Sequence, residues 1–247
     1  MARPTSLPRR LLQSWRTHFA ARRHGPEAGP RLPATLSLHD LPLAVLDTET
    51  TGLNPARDRI VSIGGLHWRG DQAEGALLDL LLHPGRKIPA SATAIHRIDD
   101  AMVATAPSFA LVGGTVLRFW HQRVLLGHNI GFDLALLREE AARAQLGFMP
   151  PPAVLDIGLL YGGLYPRSRD CGIEAIAAQF GIQIEARHSA TGDAETAAKL
   201  WCALRPHLIG HGIGTLGGAQ AVMHRARDLI HGQQRAGWAM DLVLPHD

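Results

Sequence analysis

The chain has 247 residues, of which 46% are apolar, and it carries a formal net charge of +3 with a pI of about 9.3. This composition excludes a disordered or fibrous protein, and the length suffices for one large domain with extensions. No apolar run approaches the roughly 18–20 residues of a membrane-spanning helix, so we expect no transmembrane segment and a cytoplasmic location.

Residues 1–40 are predicted to form a basic, flexible N-terminal extension, because they contain seven arginines and only two acidic residues. A short basic helix here could contact nucleic acid, an acidic membrane surface or a protein partner, and the segment also resembles an organelle transit peptide. We favour a solvated tail, as is common at chain termini. The apolar face of such a helix would consist of Leu11, Leu12, Trp15 and Phe19.

From residue 41 onwards strand and helix patterns alternate, which predicts an α/β domain over residues 41–206 with a mixed sheet and flanking helices. Residues 207–247 are predicted to be a short C-terminal extension with one helix near Ala219–Ile230. Strands are predicted at Leu43–Asp47, Arg59–Trp68, Ala76–Leu82, Val124–Gly127 and Ala153–Leu155. Helices are predicted at Ser108–Trp120, Phe132–Gln145, Gly172–Phe180 and Thr191–Leu204.

Asp47 and Glu49 end the first predicted strand and are the first candidates for chemistry. Side chains alternate along a strand, so residues two apart leave it on the same face. Two like charges side by side are costly, and a divalent cation is the usual relief. Carboxylate oxygens suit magnesium or manganese. Because Asp-x-Glu is also common in surface loops, the prediction depends on further carboxylates.

Three further candidates lie at the starts of two predicted helices. Asp133 shares a helix face with Leu137, and Asp193 precedes an apolar face on its own helix. His188 lies five residues before Asp193 in a glycine-containing loop. Taken singly, such an aspartate is favoured by the helix dipole and such a histidine is a surface residue. Their joint occurrence is what points to a site.

The segments Asp47–Gly52, His128–Asp133 and His188–Ala194 together resemble the three motifs of the DEDDh family of 3′–5′ exonucleases. This family includes proteins similar to the proofreading subunit of bacterial replicative DNA polymerase and to ribonuclease T. The order and spacing of the motifs agree, and the resemblance extends from about residue 41 to residue 206. It implies a ribonuclease H-like fold.

The resemblance also implies two divalent cations, Mg²⁺ or Mn²⁺, that assist an in-line displacement at phosphorus. Asp47 would bridge both ions, Glu49 and Asp193 would help to hold the ion that carries the attacking water, and Asp133 would hold the second ion. His188 would be the general base, because an imidazole with an ordinary pKa near 6.5 is largely neutral at pH 7.

Substrate-binding residues follow from the same resemblance. Leu53 and Phe132 would enclose the terminal base, His96 and His128 would contact its sugar or phosphate, and Thr50 would also contribute. Such contacts accept any base, which implies little sequence preference. Leu53 and Phe132 could instead be ordinary core residues.

Two features depart from the family pattern. Arg97 lies where the family usually has glycine, so it could bind a phosphate or point to solvent, and the local geometry that glycine provides is in question. After Pro206 there is no clear clamp-binding peptide or polymerase-docking tail, which argues against the polymerase subunit itself.

The sequence therefore predicts a metal-dependent 3′–5′ exonuclease that acts on single-stranded DNA in replication or repair and releases nucleoside monophosphates. A DNA polymerase or a repair protein is the partner that the resemblance suggests. One alternative is an exoribonuclease that trims RNA 3′ ends or short oligoribonucleotides, since the 2′-hydroxyl would decide between the two. The other is a nucleic-acid-binding module without catalysis, in which we would expect at least one of the five motif residues to be lost.

Overall fold

A five-stranded mixed sheet forms the centre of the structure, a computed structural model that describes residues 31–244. The strand order is β3-β2-β1-β4-β5, with β1, β2 and β3 antiparallel and β4 and β5 parallel to β1. The predicted α/β class, a mixed sheet flanked by helices, is confirmed. The strands are β1 (Pro42–Thr50), β2 (Ile60–Arg69), β3 (Gln72–Leu81), β4 (Val124–Gly127) and β5 (Ala153–Asp156).

Helices cover the sheet. Within residues 31–244, none of them is both long and apolar enough to cross a membrane. They are α1 (Ala90–His96), α2 (Asp100–Val103), α3 (Phe109–Val116), α4 (Ile130–Arg143), α5 (Ile157–Leu164), α6 (Ile173–Gln179), α7 (Ala190–Gly210), α8 (Leu216–Met223), α9 (Arg227–Arg235) and α10 (Met240–Val243).

Strand β1 carries the first motif, and its burial pattern changes along its length. Leu43–Leu46 are at most 1% exposed, as expected for a central strand that is covered on both faces. From Asp47 onwards exposure alternates: Asp47 and Glu49 are partly exposed, whereas Thr48 and Thr50 are buried. The strand therefore emerges from the core at the point where its carboxylates begin.

A glycine allows helix α7 to start directly against the sheet. Gly64 of β2 lies opposite Asp47 of β1. A Cβ atom at Gly64 would lie 2.1 Å from the backbone nitrogen of Thr191, closer than any real contact. The first turn of α7 can therefore reach β2 only because residue 64 has no side chain, and this places Asp193 beside the end of β1.

The C-terminal prediction is wrong in its helix count and in its boundary. Helix α7 continues past Pro206 to Gly210, and three helices follow instead of one. Val222, Met223 and Val243 belong to the main core cluster. The single helix predicted over Ala219–Ile230 covers the end of α8, the break at residues 224–226 and the start of α9. Apolar periodicity does not reveal this break, because no proline or glycine marks it.

The boundary predicted at residue 40 is also corrected for the part that the structure describes. Leu38 is fully buried, and its backbone N–H donates to Gly214 O at 3.0 Å. Leu36 O accepts from Leu216 N at 2.8 Å. Residues 34–38 are therefore held against the loop before α8. The predicted basic helix with Leu11, Leu12, Trp15 and Phe19 lies outside the described residues.

Helices α1, α2 and α5 were not predicted. The first two are short, and α5 contains three glycines, which usually indicate a loop. In the fold one of these glycines has a packing role: a Cβ at Gly163 would lie 2.0 Å from Val222 O, so its absence lets α8 pack against α5. Tertiary contact thus outweighs local propensity here.

Arg97 ends helix α1 in the left-handed region, with φ 61° and ψ 15°, and its N–H donates to Thr93 O. The geometry that a glycine would supply is therefore present, but an arginine adopts it. A non-glycine residue in this region costs about 1–2 kcal/mol.

We predict that Arg97→Gly is more stable to unfolding than Arg97→Ala by about 0.5–1 kcal/mol. Glycine removes the steric cost of the left-handed conformation, and its greater conformational freedom in the unfolded chain offsets part of that gain. Urea denaturation of the two variants measures this difference. Alanine is the matched control, since it also lacks the guanidinium but keeps the strain. Equal stability of the two variants would show that residue 97 is not strained.

Candidate metal centre and active site

Four carboxylates from three elements converge at one end of the sheet. Asp47 and Glu49 come from β1, Asp133 from the first turn of α4, and Asp193 from the first turn of α7. Asp133 and Asp193 are 3% and 4% exposed. A helix N-terminus tolerates a carboxylate well, because the free N–H groups and the helix dipole stabilise negative charge. The fold therefore brings together all four predicted acids.

Asp133 is fixed by the residue between the two strand carboxylates. Its Oδ1 accepts a hydrogen bond from Thr48 Oγ1 at 2.6 Å, and this bond is buried. Thr48 points away from Asp47 and Glu49 along the strand, so it can reach α4 while its neighbours face the site.

Asp193 has one satisfied oxygen and one free oxygen. Its Oδ2 accepts from Arg187 Nη1 at 2.5 Å and from the backbone N–H of His188 at 3.2 Å. Among the described residues its Oδ1 is buried without a hydrogen-bond partner. A buried carboxylate oxygen without a partner is costly, and a cation is one of the few groups that would satisfy it.

The electrostatics of the cluster show how crowded the negative charge is. Burial raises the pKa of Asp47 well above its ordinary value, and the charges of Asp133, Asp193 and Glu49 raise it further. Burial, with the charge of Asp193, raises the pKa of Glu49 to about 7. The pKa of Asp133 is raised to about 7, mainly by burial and against the hydrogen bond from Thr48. Without added positive charge, these groups cannot all be ionised at neutral pH.

The residues fit a divalent metal centre. Glu49, His188 and Asp193 each offer a ligand atom, and these atoms lie within 4.8 Å of one another. Asp47 and Asp133 are not members of this closest group. They belong to the same acidic cluster, because Asp47 interacts by charge with Asp133, Asp193 and Glu49. The carboxylate oxygens, their mutual repulsion and the unpartnered Oδ1 of Asp193 suit a divalent cation.

Arg187 is the positive charge that sequence reasoning missed. Besides Asp193, its guanidinium binds Glu174 Oε1 through Nε at 2.6 Å and lies 3.2 Å from His188 Nδ1. A guanidinium can only donate, so Nδ1 of His188 is the acceptor and the proton of the neutral ring is on Nε2. His188 itself adopts φ 61°, in the left-handed region. An arginine directly before the motif histidine was the available sequence signal.

The predicted substrate-binding residues near β1 differ in solvent exposure and in hydrogen bonding. Leu53 is 80% exposed, which excludes the core-packing alternative for this residue. His96 is buried and uses both ring nitrogens inside the protein: Nδ1 accepts from Ile98 N at 3.0 Å, and Nε2 lies 3.2 Å from Thr50 O. Burial lowers its pKa, so the ring is neutral at pH 7. Thr50 is buried, and its hydroxyl donates to Gly52 O.

The predicted residues of the second motif lie at the start of α4. His128 Nε2 is 2.9 Å from Cys171 O. Phe132 is partly exposed, and its ring centroid lies 5.6 Å from that of Trp238. Asn129, in the left-handed region, accepts from Gln233 Nε2 at 2.9 Å. No motif in the sequence pointed to Trp238 or Gln233, the C-terminal partners in these two contacts.

A buried aspartate at the end of β5 also escaped sequence reasoning. Asp156 is fully buried and accepts from Ile130 N at 2.9 Å and from Leu159 N at 3.0 Å. It thereby caps α5 and ties the start of α4 to β5. Its role is to fix the helix that carries Asp133.

Comparison with known proteins identifies relatives over the region that contains these motifs. Residues 44–201 match the model of a family described as exonuclease, RNase_T. A DNA polymerase III subunit epsilon-like protein of Rhodobacter capsulatus is 40% identical over 188 residues, which are 74% of this chain but 26% of that protein. A DNA polymerase III subunit epsilon of Rickettsia prowazekii is 29% identical over 166 residues, 65% of this chain and 72% of that protein. The chain thus spans about a quarter of the Rhodobacter protein.

Solved structures share the fold. Escherichia coli exonuclease I in complex with a dT13 oligonucleotide superposes with a TM-score of 0.59 at 16% sequence identity. The match covers 69% of this chain and 43% of that chain. At this identity the likeness concerns the arrangement of sheet and helices.

We predict that the metal-free protein loses stability as the pH rises from about 5 to about 8. Glu49 and Asp133 have folded-state pKa values of about 7, above their ordinary values of 4.5 and 3.8, so the folded state binds more protons than the unfolded state in this range. Each ~1 kcal/mol shifts the melting temperature by roughly 2–4 °C in a protein of this size.

Melting temperatures in chelator and in Mg²⁺ from pH 5 to 8.5 measure this effect. Mg²⁺ should restore more stability at pH 8 than at pH 5.5, because it binds the ionised cluster. Asp133→Asn should weaken the pH dependence, whereas Asp228→Asn, at an exposed position, should leave it unchanged. A metal-free melting temperature that rises towards pH 8 would contradict the charge-crowding account.

Proposed function

The chain belongs to the exonuclease family RNase_T, and we propose that it hydrolyses single-stranded DNA from the 3′ end with two divalent cations and a histidine base. Family membership and the enzyme class agree with the sequence prediction. The single observation that supports the finer proposal is the convergence of Asp47, Glu49, Asp133 and Asp193 beside His188. All five motif residues are present, which argues against a binding module without catalysis.

The four carboxylates would hold the cations. When bound, the cations supply Lewis-acid polarisation of the scissile phosphate and lower the pKa of a water. The protein's own contribution is a rigid frame: β1 fixes Asp47 and Glu49, Thr48 orients Asp133, and the start of α7 fixes Asp193. Such preorganisation lets charge be stabilised without rearrangement during the reaction.

His188 would accept the proton of the attacking water. In the neutral ring the unprotonated nitrogen is Nδ1, and Arg187 Nη1 lies 3.2 Å from it. Arg187 must therefore leave Nδ1, or the ring must exchange its tautomer, before His188 acts as a base. His188 lies in a turn between Arg187 and the first turn of α7, outside the regular helices and strands.

The proposed substrate contacts divide into direct and supporting ones. Exposed Leu53 and partly exposed Phe132 would enclose the terminal base. His128 Nδ1, which has no hydrogen-bond partner among the described residues, would contact a sugar or phosphate. His96 holds the Thr50 carbonyl and the Ile98 N–H, so we propose that it positions the end of β1 and contacts substrate only when one of these bonds opens.

DNA is the proposed substrate and DNA processing in the cytoplasm the proposed setting. The relatives named DNA polymerase III subunit epsilon and the exonuclease I complex with dT13 support DNA over RNA. The same relatives support a polymerase or repair partner for this chain. None of the contacts described for the site distinguishes a 2′-hydroxyl from a hydrogen, so RNA is included as a competing substrate.

End-labelled oligonucleotides test the proposal. Purified protein with Mg²⁺ or Mn²⁺ is offered 3′-labelled and 5′-labelled single strands of DNA and of RNA. We expect immediate release of 3′ label as mononucleotide, a ladder of shortened 5′-labelled products, faster cleavage of DNA than RNA, and no activity in chelator. Release of 5′ label first, or activity in chelator, would contradict the proposal. Faster cleavage of RNA would favour the exoribonuclease alternative.

We predict that His188→Ala lowers kcat on single-stranded DNA by about 10²–10⁴-fold, the usual contribution of general base catalysis. His224→Ala, at an exposed position in the turn after α8, is the matched control and should keep normal turnover. The increase in melting temperature with Mn²⁺ separates a base from a ligand, because His188 is also in the closest group of candidate ligands. The base role requires this increase to persist in His188→Ala, and its loss would make His188 a metal ligand.

A further inference from the structure

The C-terminal helices lie beyond the family match and yet contact the second motif. The match ends at residue 201, whereas α8, α9 and α10 span residues 216–243. Ala239 N donates to Gly131 O at 2.9 Å, and Gln233 Nε2 donates to Asn129 Oδ1 at 2.9 Å. These bonds tie α9 and the turn before α10 to the start of α4, the helix that carries Asp133.

Trp238 lies in this turn, against the motif. A Cβ at Gly131 would lie 3.6 Å from the Cβ of Trp238, an ordinary van der Waals distance, so the tryptophan lies directly beside the motif. The rings of Trp238 and Phe132 are tilted by 54° with centroids 5.6 Å apart, within the range of favourable aromatic pairs. Both residues are partly exposed. Phe132 also packs against the main core cluster and directly precedes Asp133, so the pair forms a partly exposed aromatic surface beside the second motif.

The indole N–H of Trp238 supports a role at this surface. Trp68 and Trp120 donate their indole N–H groups to Gly70 O and Met149 O. Among residues 31–244, no hydrogen-bond partner is found for the indole N–H of Trp238. Trp238 is held by backbone bonds to Gln233 O and from Met240 N, and its side chain is partly exposed. With its donor free, it has the chemistry of a base-stacking residue.

We propose that Trp238 is a substrate-binding residue: with Phe132 it forms a two-ring surface on which a base near the 3′ end stacks. This inference rests on the proposed function. It assigns to the C-terminal helices a direct part in substrate binding, beyond packing against the domain. Stacking accepts every base, so Trp238 would raise affinity for single strands without sequence preference.

A cycle of protein and substrate changes tests the contact. Wild type, Trp238→Ala and Trp238→Phe are assayed on a single-stranded oligonucleotide and on versions with an abasic nucleotide at each of the three positions nearest the 3′ end. We expect Trp238→Ala to raise KM about 5- to 150-fold with kcat within about twofold, since base stacking contributes ~1–3 kcal/mol. Trp238→Phe should lie close to wild type. One abasic substrate should abolish the difference between wild type and Trp238→Ala.

A purely structural role gives a different result. Trp238→Ala would then lower kcat and the melting temperature and would have the same effect on intact and abasic substrates. That outcome overturns the proposal. Leu242→Ala is the matched control, because it removes apolar surface from the same segment without removing a ring, and it should leave KM unchanged.

Equilibrium binding separates this inference from the proposed function. Fluorescence anisotropy of a labelled oligonucleotide in chelator reports binding without hydrolysis. If wild type binds in chelator but does not cut with Mg²⁺ or Mn²⁺, the proposed function fails. The affinity of Trp238→Ala relative to wild type still tests the stacking contact. If wild type does not bind single-stranded DNA, both are wrong.

Discussion

The repulsion among four carboxylates at the end of β1 is the constraint on which the rest of the structure depends. Burial raises the pKa of Asp47, Glu49, Asp133 and Asp193, and the charges of neighbouring carboxylates raise the pKa of Asp47, Glu49 and Asp133 further. The charge of Arg187 opposes this shift at Asp47, Glu49 and Asp193. A fold gains nothing in stability from such a cluster. The cluster is explained as a site that binds positive charge, and the surrounding structure holds its carboxylates in place.

The fold delivers these groups through features that have little to do with chemistry. A central strand buried on both faces fixes the first pair, and the two helices bring the other acids to the same place by their N-termini. Gly64 is the local condition for this arrangement, because any side chain there would push α7 away from β2. Asp156 and the C-terminal helices play the same part for α4. The centre is thus braced from both sides of the sheet.

Much of this was visible in the sequence, since strongly periodic elements and local motifs depend on neighbouring residues. The strand at Val124–Gly127 and the start of the helix that carries Asp133 follow from such patterns. The glycine-containing helix α5 and the break between α8 and α9 do not, because packing across the fold decides them. Arg187 and Trp238 likewise could not be singled out from the sequence. Arg187 contacts Glu174 and Trp238 contacts Phe132, and both contacts join segments that are apart in the sequence.

The central claim is that the four carboxylates form a divalent metal centre. Anomalous diffraction from crystals grown with Mn²⁺ tests it most directly, because manganese identifies itself and its ligands in one map. The account predicts manganese within the cluster and its loss in Asp47→Asn. An active protein whose crystals show no manganese among Asp47, Glu49, Asp133 and Asp193 would contradict it.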